Sequence, residues 1–287
     1  MKRILLCLDS DPQPSVFDSV VAIDSDVDHL LRHGGVKPEE VRDLIHGAMF
    51  TRGGKMLKNT AVFIGGSDVQ AGEQLLHAAE KAFFGPVRVS LMLDSNGSNT
   101  TAAAAVVAAR RHVPLAPETT AVVLGATGPV GQRVVRMLAH EGVEVRVVSR
   151  RLPRAEGVCH RVLQSLGGAH VTPHASEGTD VAELAQGAQL VIAAGAAGVE
   201  LYSNKSRQAS STVQVAIDLN AVPPAGIGGI EATDKATERD GQICYGALGV
   251  GGLKMKIHKA AINRLYQAND QVLDADEIYE LGKRIDA

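Results

Sequence analysis

The chain alternates short apolar runs with longer segments in which apolar residues recur at helical spacing. In its central part, apolar runs near residues 120–124, 143–148, 169–172, 189–194 and 213–218 predict strands. The segments between these runs predict helices. Strands that alternate regularly with helices are typical of a doubly wound, mostly parallel α/β sheet.

The residues before this region show the same alternation over a shorter length. Apolar runs at 3–8, 61–64 and 87–93 predict strands. Between residues 68 and 83, the apolar positions fall on one face at 3.6-residue spacing, which predicts an amphipathic helix. This part of the chain therefore predicts a second, smaller α/β domain.

Prolines separate the two regions. An Ala-rich helix is predicted at 99–111, with Ser98 or Asn99 as its N-cap, and Pro114 and Pro117 then mark a linker. Beyond residue 246 the pattern is mostly helical. A C-terminal helical segment of this length predicts a return to the first domain.

A glycine-rich turn follows the first central strand. Gly125, Gly128 and Gly131 lead from that strand into a helix, which presents N–H groups at a helix N-terminus to a pyrophosphate. The first glycine permits the tight turn, the second admits the phosphates, and the third allows helix and strand to pack closely. This pattern predicts a Rossmann domain that binds a dinucleotide.

The second central strand ends in Ser149-Arg150-Arg151, about 20 residues after the glycines. An NAD site usually carries Asp or Glu at this position. Two guanidiniums and a hydroxyl instead suit the 2′-phosphate of NADP, because Arg can bind a phosphate in a bidentate way. We predict NADP as the cofactor, with NAD as the alternative. The candidate nucleotide contacts are Gly125, Thr127, Gly128, Pro129, Val130, Gly131, Ser149, Arg150, Arg151, Ala194 and Asn220.

These patterns predict three parts of the chain. Residues 1–118 form an α/β catalytic domain, residues 119–246 the NAD(P)-binding domain, and residues 247–287 helices that pack back on the first domain. Aromatic residues make up only 3% of the chain and Trp is absent, so both cores must be aliphatic.

Charge and cysteine content narrow the partners and the compartment. The formal net charge is −3 with no long basic run, so nothing indicates a nucleic-acid partner. Cys7, Cys159 and Cys244 lack metal-ligand spacing and suit reduced, buried thiols, and we predict a cytoplasmic protein without a metal site. The apolar run at the N-terminus is too short for a signal peptide, and no apolar stretch has the length of a membrane span.

Three further segments combine glycine with polar residues. Residues 94–101 directly follow a predicted strand, and they suit either a polar heterocycle or a helix cap. Residues 218–229 suit either the nicotinamide end of the nucleotide site or a rigid structural loop. In residues 246–258, the glycine density indicates close backbone approach, and Lys254 and His258 share one helical face.

These segments resemble the NAD(P)-dependent methylene-tetrahydromethanopterin dehydrogenases of bacterial one-carbon metabolism, some of which also act on methylene-tetrahydrofolate. The resemblance extends over nearly the whole chain. The matching stretches are PSVFD (14–18), FTRGGK (50–55), the run from FFGP to TTAAA (83–104), GPVG (128–131), PP-x-GIGGI (223–230), ATDK (232–235), GALG-x-GGLK-x-K-x-H (246–258) and DA-x-EIY (274–279).

The resemblance implies a two-domain, homo-oligomeric enzyme that oxidises a methylene-pterin to its methenyl form and passes a hydride to NADP or NAD. It implies Lys254 or Lys256 near the reacting centre. The pterin contacts that it implies are Asp94, Asn96, Ser98, Asn99 and Thr101. The GATG start of the glycine turn and the Ser-Arg-Arg strand end differ from the family pattern and bear on the choice between NAD and NADP.

Other interpretations predict features that the sequence does not show. A shikimate-type dehydrogenase of a small substrate needs a Lys–Asp pair in the first domain, and residues 50–118 contain no clear one. A non-enzymatic NAD(P) sensor would need a basic DNA-binding module. A bifunctional cyclohydrolase needs a water-activating Tyr/Lys set, and none of the four Tyr residues lies in the catalytic motifs, so we expect no such activity.

Overall fold

The computed structural model describes all residues, 1–287, and contains two sheets that belong to two compact units. The first unit comprises Met1–Thr100 and Met255–Ala287, and the second comprises Thr101–Lys254. The domain boundaries expected from the sequence, at residues 118 and 246, stay a prediction. None of the helices combines the length and the hydrophobicity that a membrane span requires.

The first unit alternates strands and helices from the N-terminus. Its elements before the second unit are β1 (Ile4–Asp9), α1 (Val16–Ile23), β2 (His29–His33), α2 (Pro38–Phe50), β3 (Thr60–Gly65), α3 (Val69–Lys81), β4 (Ser90–Leu93) and the start of α4 (Ser98–Arg110).

The second unit continues the alternation to a β-hairpin. Its elements are β5 (Thr120–Leu124), α5 (Pro129–His140), β6 (Glu144–Ser149), α6 (Leu152–Ser165), β7 (Val171–Ala175), α7 (Val181–Leu184), β8 (Leu190–Ala193), α8 (Asn204–Ala209), β9 (Val215–Asp218), β10 (Lys235–Arg239) and β11 (Gln242–Tyr245). The chain ends with α9 (Ala247–Arg264), β12 (Val272–Leu273) and α10 (Ala275–Asp286).

The first sheet is entirely parallel, in the order β12-β4-β3-β1-β2. Strand β3 is buried along its whole length, as expected for a parallel strand covered on both faces. On one face, aliphatic side chains of β1, β3 and β4 pack against α2 and α3 in a core that includes Leu8, Ile45, Ile64 and Leu75. This arrangement brings the carboxyl ends of β1, β3 and β4 together.

The C-terminal residues complete the first sheet. Val272 and Leu273 pair in parallel with Leu91 and Met92, so β12 extends the sheet beyond β4. Helix α10 begins with a capping box in which Asp274 and Glu277 accept each other's backbone N–H. The predicted return of the C-terminal helices to the first domain is confirmed.

The second sheet has the order β10-β11-β9-β8-β5-β6-β7 and is parallel except for the β10–β11 pair. The strand order reverses between β5 and β8, where ligands bind in open α/β sheets. The predicted fold class, a Rossmann domain with a smaller α/β domain, is confirmed.

The structure contains elements that the sequence pattern did not predict. Strand β2 is a largely exposed edge strand, so its polar residues hide the periodicity of a buried strand. Helices α1 and α2 and the β10–β11 hairpin were also missed. Lys235–Arg239 is mostly exposed and is held by antiparallel pairing with β11, which is a tertiary contact and not a propensity.

The glycines of α9 explain part of the close backbone approach that the sequence predicted. A Cβ on Gly249 would lie 1.7 Å from the carbonyl oxygen of Asp234, and a Cβ on Gly246 would lie 2.0 Å from that of Glu231. Around Gly252, by contrast, a Cβ would meet nothing within 4 Å. Gly246 and Gly249 therefore allow the start of α9 to pack against the segment that precedes β10.

We expect Gly249→Ala and Gly252→Ala to change stability in opposite directions. Gly249→Ala forces the start of α9 away from the backbone at Asp234 and should lower the free energy of unfolding by about 1–3 kcal/mol. Gly252→Ala adds a better helix former in open space and should raise it by about 0.5–1 kcal/mol. Chemical denaturation followed by circular dichroism measures both values, and equal effects would contradict the packing role.

Candidate nucleotide and substrate sites

The glycine turn between β5 and α5 shows why glycine occupies two of its three positions. Gly125 has φ +68°, and a Cβ there would lie 2.6 Å from Cα of Gly195 in the turn after β8. A Cβ on Gly131 would lie 2.6 Å from the carbonyl oxygen of Gly125. Any larger residue would push α5 away from the strand ends, so the turn requires these glycines.

Gly128 stands directly before α5 as its N-cap, and Pro129 occupies the first helical turn. A Cβ on Gly128 would approach the Ala194 oxygen to only 3.5 Å, so this glycine is not needed for packing within the protein. Its bare backbone instead faces the cavity beside it. The N-terminus of a helix without a side-chain cap offers free N–H groups to a phosphate.

A cavity of about 1150 Å³ lies at the carboxyl ends of the strands of the second sheet. It reaches from the glycine turn to the end of β6 and the segment after β8. Its lining includes eight of the predicted nucleotide contacts: Gly125, Thr127, Gly128, Pro129, Ser149, Arg150, Arg151 and Ala194.

The guanidiniums at the end of β6 carry the electrostatic character of this cavity. Arg150 and Arg151 are exposed, and Arg154 from the first turn of α6 joins them in the lining. None of these three side chains forms a hydrogen bond or an ion pair with the protein. They are available for an anion. Arg154 is not among the residues predicted from the sequence; its signal is its position three residues after Arg151, at the start of the same helix.

Carboxylates line the cavity as well. Glu177 follows β7, and its N–H donates to the carbonyl of Arg150. Asp180 caps α7 by accepting from the N–H of Ala182 and also accepts from the hydroxyl of Ser206. Glu177 and Asp180 lie between β7 and α7. The end of β6, which usually carries an acidic ribose ligand, is instead occupied by Ser149 and the arginines.

Three predicted nucleotide contacts do not line this cavity. Val130 and Gly131 belong to the first turn of α5, where Gly131 serves packing. The Asn220 amide donates to the carbonyl of Pro224, and its oxygen accepts from the N–H of Val222, so this side chain shapes its own loop. Their roles as nucleotide contacts stay predictions.

The loop after β9 is organised around a buried carboxylate. Asp218 is 2% exposed and accepts from the N–H groups of Asn220 and Ile227. Burial raises the pKa of the Asp218 carboxyl, and the backbone N–H groups of Asn220, Ile227 and Gly226 oppose that rise. A Cβ on Gly226 would lie 2.7 Å from the Asp218 carboxylate, so a side chain at this position would collide with Asp218.

The polar segment after β4 is built around a second buried carboxylate. Asp94 is 1% exposed and accepts from the N–H groups of Asn99 and Thr100 and from the Thr100 hydroxyl at 2.6 Å. The capping oxygen of α4 therefore comes from Asp94, whereas the sequence predicted Ser98 or Asn99 as the cap. Charge-assisted bonds to helix N–H groups stabilise the start of α4.

The other predicted substrate contacts differ in accessibility. Ser98 and Asn99 are fully buried; the Ser98 hydroxyl donates to the carbonyl of Ser95, and the Asn99 amide donates to the carbonyl of Leu93 and to Asp274. Asn96 is exposed, with φ 56°, and Thr101 is half-buried. Of the five predicted pterin contacts, Asn96 and Thr101 are therefore the accessible ones. The substrate contacts of all five residues stay predictions.

The two candidate lysines lie on α9. Lys254 is half-buried and Lys256 is exposed. His258, one turn after Lys254, is fully buried, and its ring stacks on Phe63 with a centroid distance of 5.7 Å. Its Nδ1 lies 4.0 Å from the Asp94 carboxylate, so the structure brings His258 and the capping residue of α4 together.

Comparison with known proteins matches this architecture to a family. A protein of Methylorubrum extorquens named bifunctional protein MdtA is 44% identical over 285 residues, which cover 99% of each chain. The model of the N-terminal part of methylene-tetrahydromethanopterin dehydrogenase matches residues 16–96. The chain belongs to the methylene-tetrahydromethanopterin dehydrogenase family. Residues 121–222 match the NAD dependent epimerase/dehydratase family, consistent with the Rossmann cavity described above.

A second relative from the same organism is named NAD(P)-dependent methylenetetrahydromethanopterin dehydrogenase. It is 28% identical over 284 residues, 94% of each chain. Among solved structures, quinate dehydrogenase from Corynebacterium glutamicum in complex with NAD has a TM-score of 0.52 at 15% identity and 98% coverage of both chains. At that identity the likeness shows a shared two-domain dehydrogenase fold. The family model of methylene-tetrahydromethanopterin dehydrogenase covers Asp94 and Asn96 but not the arginines of the cavity.

We expect Asp94→Ala to destabilise this dehydrogenase strongly, because it leaves two buried N–H groups and one hydroxyl without their acceptor. The free energy of unfolding should fall by about 2–5 kcal/mol. Asp68, which accepts from the N–H of Ala71 at the start of α3 in an exposed setting, provides the matched control. Asp68→Ala should cost about 1 kcal/mol in the same denaturation measurement. Equal losses for both variants would contradict a buried structural role for Asp94.

Proposed function

We propose that this chain catalyses reversible hydride transfer between methylene-tetrahydromethanopterin and NADP, with the methenyl-pterin as the oxidised product. The observation that carries the proposal is the Rossmann cavity, with its glycine turn and three unpaired guanidiniums, in a member of this dehydrogenase family. The pterin half is supported by the name of the second relative and by the family model that matches residues 16–96. Methylene-tetrahydrofolate is a second substrate of the same chemistry.

The proposed reaction asks the protein mainly for positioning. A bound nicotinamide would supply the acceptor for the hydride of the methylene carbon, and the two flanking nitrogens of the pterin would stabilise the cation that remains. No proton leaves the substrate in this step, so the residues need not supply a general base. The protein must hold the two carbons about 3–3.5 Å apart and exclude water.

NADP fits the cavity in three respects. The N-terminus of α5 beside Gly128 offers N–H groups for the pyrophosphate, and the bare glycine lets the phosphates approach. Arg150 and Arg151 have no protein partner and suit a 2′-phosphate. Ser149 ends β6 at the same point and adds a hydroxyl.

We propose that the lysines of α9 act on the pterin side. Lys254 would orient the pterin through its ring carbonyl, and Lys256 is the alternative. Both lie on the glycine-rich start of α9, in which Gly251 and Gly252 leave open space for a ligand or a second surface. Orientation through a carbonyl needs a charged donor and not a proton acceptor, which a lysine satisfies.

We also propose a cytoplasmic homo-oligomer. All three cysteines are free and buried, which supports a reducing compartment. Phe50 and Phe84 are 61% and 65% exposed and contact each other at 6.2 Å between ring centroids. Exposed aromatic rings of this size support a contact with another copy of the chain.

The first experiment is a spectrophotometric assay with methylene-tetrahydromethanopterin and either NADP or NAD. It follows reduced nicotinamide and methenyl-pterin together. We expect equal formation of both products with NADP. Absence of turnover in protein that still binds NADP would overturn the proposed reaction and leave a nucleotide-binding protein of another function.

We expect the double variant Arg150→Ala/Arg151→Ala to raise KM for NADP about 10- to 100-fold, because charge-assisted hydrogen bonds are worth about 1.5–3 kcal/mol. KM for NAD should change little, since NAD lacks the 2′-phosphate. Arg161 on the same helix α6 bonds to Gln132 outside the cavity lining and provides the control, Arg161→Ala. A parallel loss for NAD and NADP would contradict the 2′-phosphate role.

We expect Lys254→Ala to raise KM for the pterin and to lower kcat, each about tenfold or more, because removing a charged hydrogen bond costs about 1.5–3 kcal/mol. KM for NADP should stay near the wild-type value. Lys259 on the same helix pairs with Asp24, and Lys259→Ala is the control. Wild-type turnover and affinity in Lys254→Ala would refute the assignment and direct attention to Lys256.

A further inference from the structure

The cavity of the second unit is lined by three carboxylates as well as by three guanidiniums. NADP carries negative charge on its pyrophosphate and on its 2′-phosphate, so guanidiniums attract it. A carboxylate that faces the same ligand is repelled by these phosphates. Such a carboxylate favours binding only where it meets a neutral hydrogen-bond donor of the cofactor.

Two of the three carboxylates have a place in the protein or on the adenosine side. Asp180 accepts from the N–H of Ala182 and from the hydroxyl of Ser206. Glu177 follows β7, and its N–H donates to the carbonyl of Arg150 at the end of β6. Strands β6 and β7 belong to the half of a Rossmann sheet that receives adenosine.

The third carboxylate, Glu200, lies in the other half of the cavity. It belongs to the segment that leads from β8 to α8 and is exposed. Its side chain forms no hydrogen bond or ion pair with the protein. A Cβ on Gly228 would lie 3.0 Å from the Glu200 carboxylate, so this carboxylate lies against the loop that follows β9.

Hydrogen bonds between the two loops hold the backbone beside Glu200. The N–H groups of Leu201 and Tyr202 both donate to the carbonyl of Gly226. In return, the N–H of Gly228 donates to the carbonyl of Tyr202, whose side chain is fully buried. The residues that follow Glu200 are therefore anchored on the loop after β9.

The strand order shows which half of the cofactor lies on this side. The order of the second sheet reverses between β5 and β8, and the glycine turn follows β5 at that point. A dinucleotide in such a fold places its pyrophosphate at the turn, its adenosine beside the second strand and its nicotinamide on the opposite side. Glu200, between the segments after β8 and β9, is therefore on the nicotinamide side.

We propose that the Glu200 carboxylate accepts hydrogen bonds from the two hydroxyls of the nicotinamide ribose and so positions the ring that takes the hydride. This inference rests on the proposed function and adds a binding residue to it. A carboxylate has two acceptor oxygens for two neighbouring hydroxyls, and its charge strengthens both bonds. Glu200 is not among the nucleotide contacts predicted from the sequence.

The first test measures binding and not turnover. Adenosine 2′,5′-bisphosphate contains the adenosine and the 2′-phosphate of NADP but no nicotinamide ribose. In isothermal titration calorimetry, we expect Glu200→Ala to weaken NADP binding about 10- to 100-fold and to leave the affinity for the bisphosphate unchanged. Glu200→Gln, which keeps an acceptor oxygen without the charge, should fall between wild type and Glu200→Ala.

Glu183→Ala provides the matched control for this titration. Glu183 is an exposed residue of α7 outside the cavity lining, so its variant should bind both ligands as the wild type does.

The second test distinguishes the ribose from the carboxamide, which also carries N–H donors on the nicotinamide side. The 3-acetylpyridine analogue of NADP lacks the amide N–H groups and retains both ribose hydroxyls. We expect Glu200→Ala to lose the same factor in affinity for this analogue as for NADP. A loss that disappears with the analogue would assign Glu200 to the carboxamide and overturn the ribose role.

Two other results would overturn the inference. Unchanged or tighter NADP binding in Glu200→Ala would show that the carboxylate has no contact with the cofactor or only repels its phosphates. Equal losses for NADP and the bisphosphate would show a general disturbance of the cavity. Absence of NADP binding in the wild type would instead overturn the proposed function, because the cofactor itself would be wrong.

Discussion

The close approach of the α5 start to the ends of β5 and β8 is the constraint on which the second unit depends. Gly125 and Gly131 leave no room for a side chain, because the turn after β8 and the Gly125 carbonyl occupy the space that a Cβ would need. With the backbones this close, the first N–H groups of α5 and the arginines after β6 face one cavity. A single larger residue would separate the helix dipole from the guanidiniums and divide the anion site.

The first unit depends on a different device, a buried carboxylate. Asp94 ends the apolar strand β4 and satisfies the helix N–H groups of α4 within the protein, while His258 approaches from α9. Because these groups bond to each other, most of the polar residues in this segment are buried and not offered to a ligand. The accessible chemistry at this end of the sheet is therefore carried by a few side chains, among them that of the exposed Asn96.

Polar residues after a strand can thus either contact a ligand or hold a loop together, and a single sequence does not distinguish these two roles. The segments at 94–101 and 218–229 each suit either a ligand contact or a structural loop, and in both the structure places a buried aspartate at the centre of internal bonds. At 149–154, in contrast, the structure favours a ligand contact over a structural role. There the arginines have no partner within the protein and line a cavity.

The sequence by itself determined the two α/β domains, the dinucleotide turn and the family, because glycine spacing and aliphatic strand runs are local patterns that only a few folds accommodate. It also located Arg150 and Arg151, which directly follow a predicted strand. The tertiary structure alone decided that β2 and β10 are strands, that Arg154 joins the cavity and that Glu200 lies beside Gly228. Exposed edge strands and contacts between distant segments leave no local periodicity, so only the packing of the sheets and helices brings them into view.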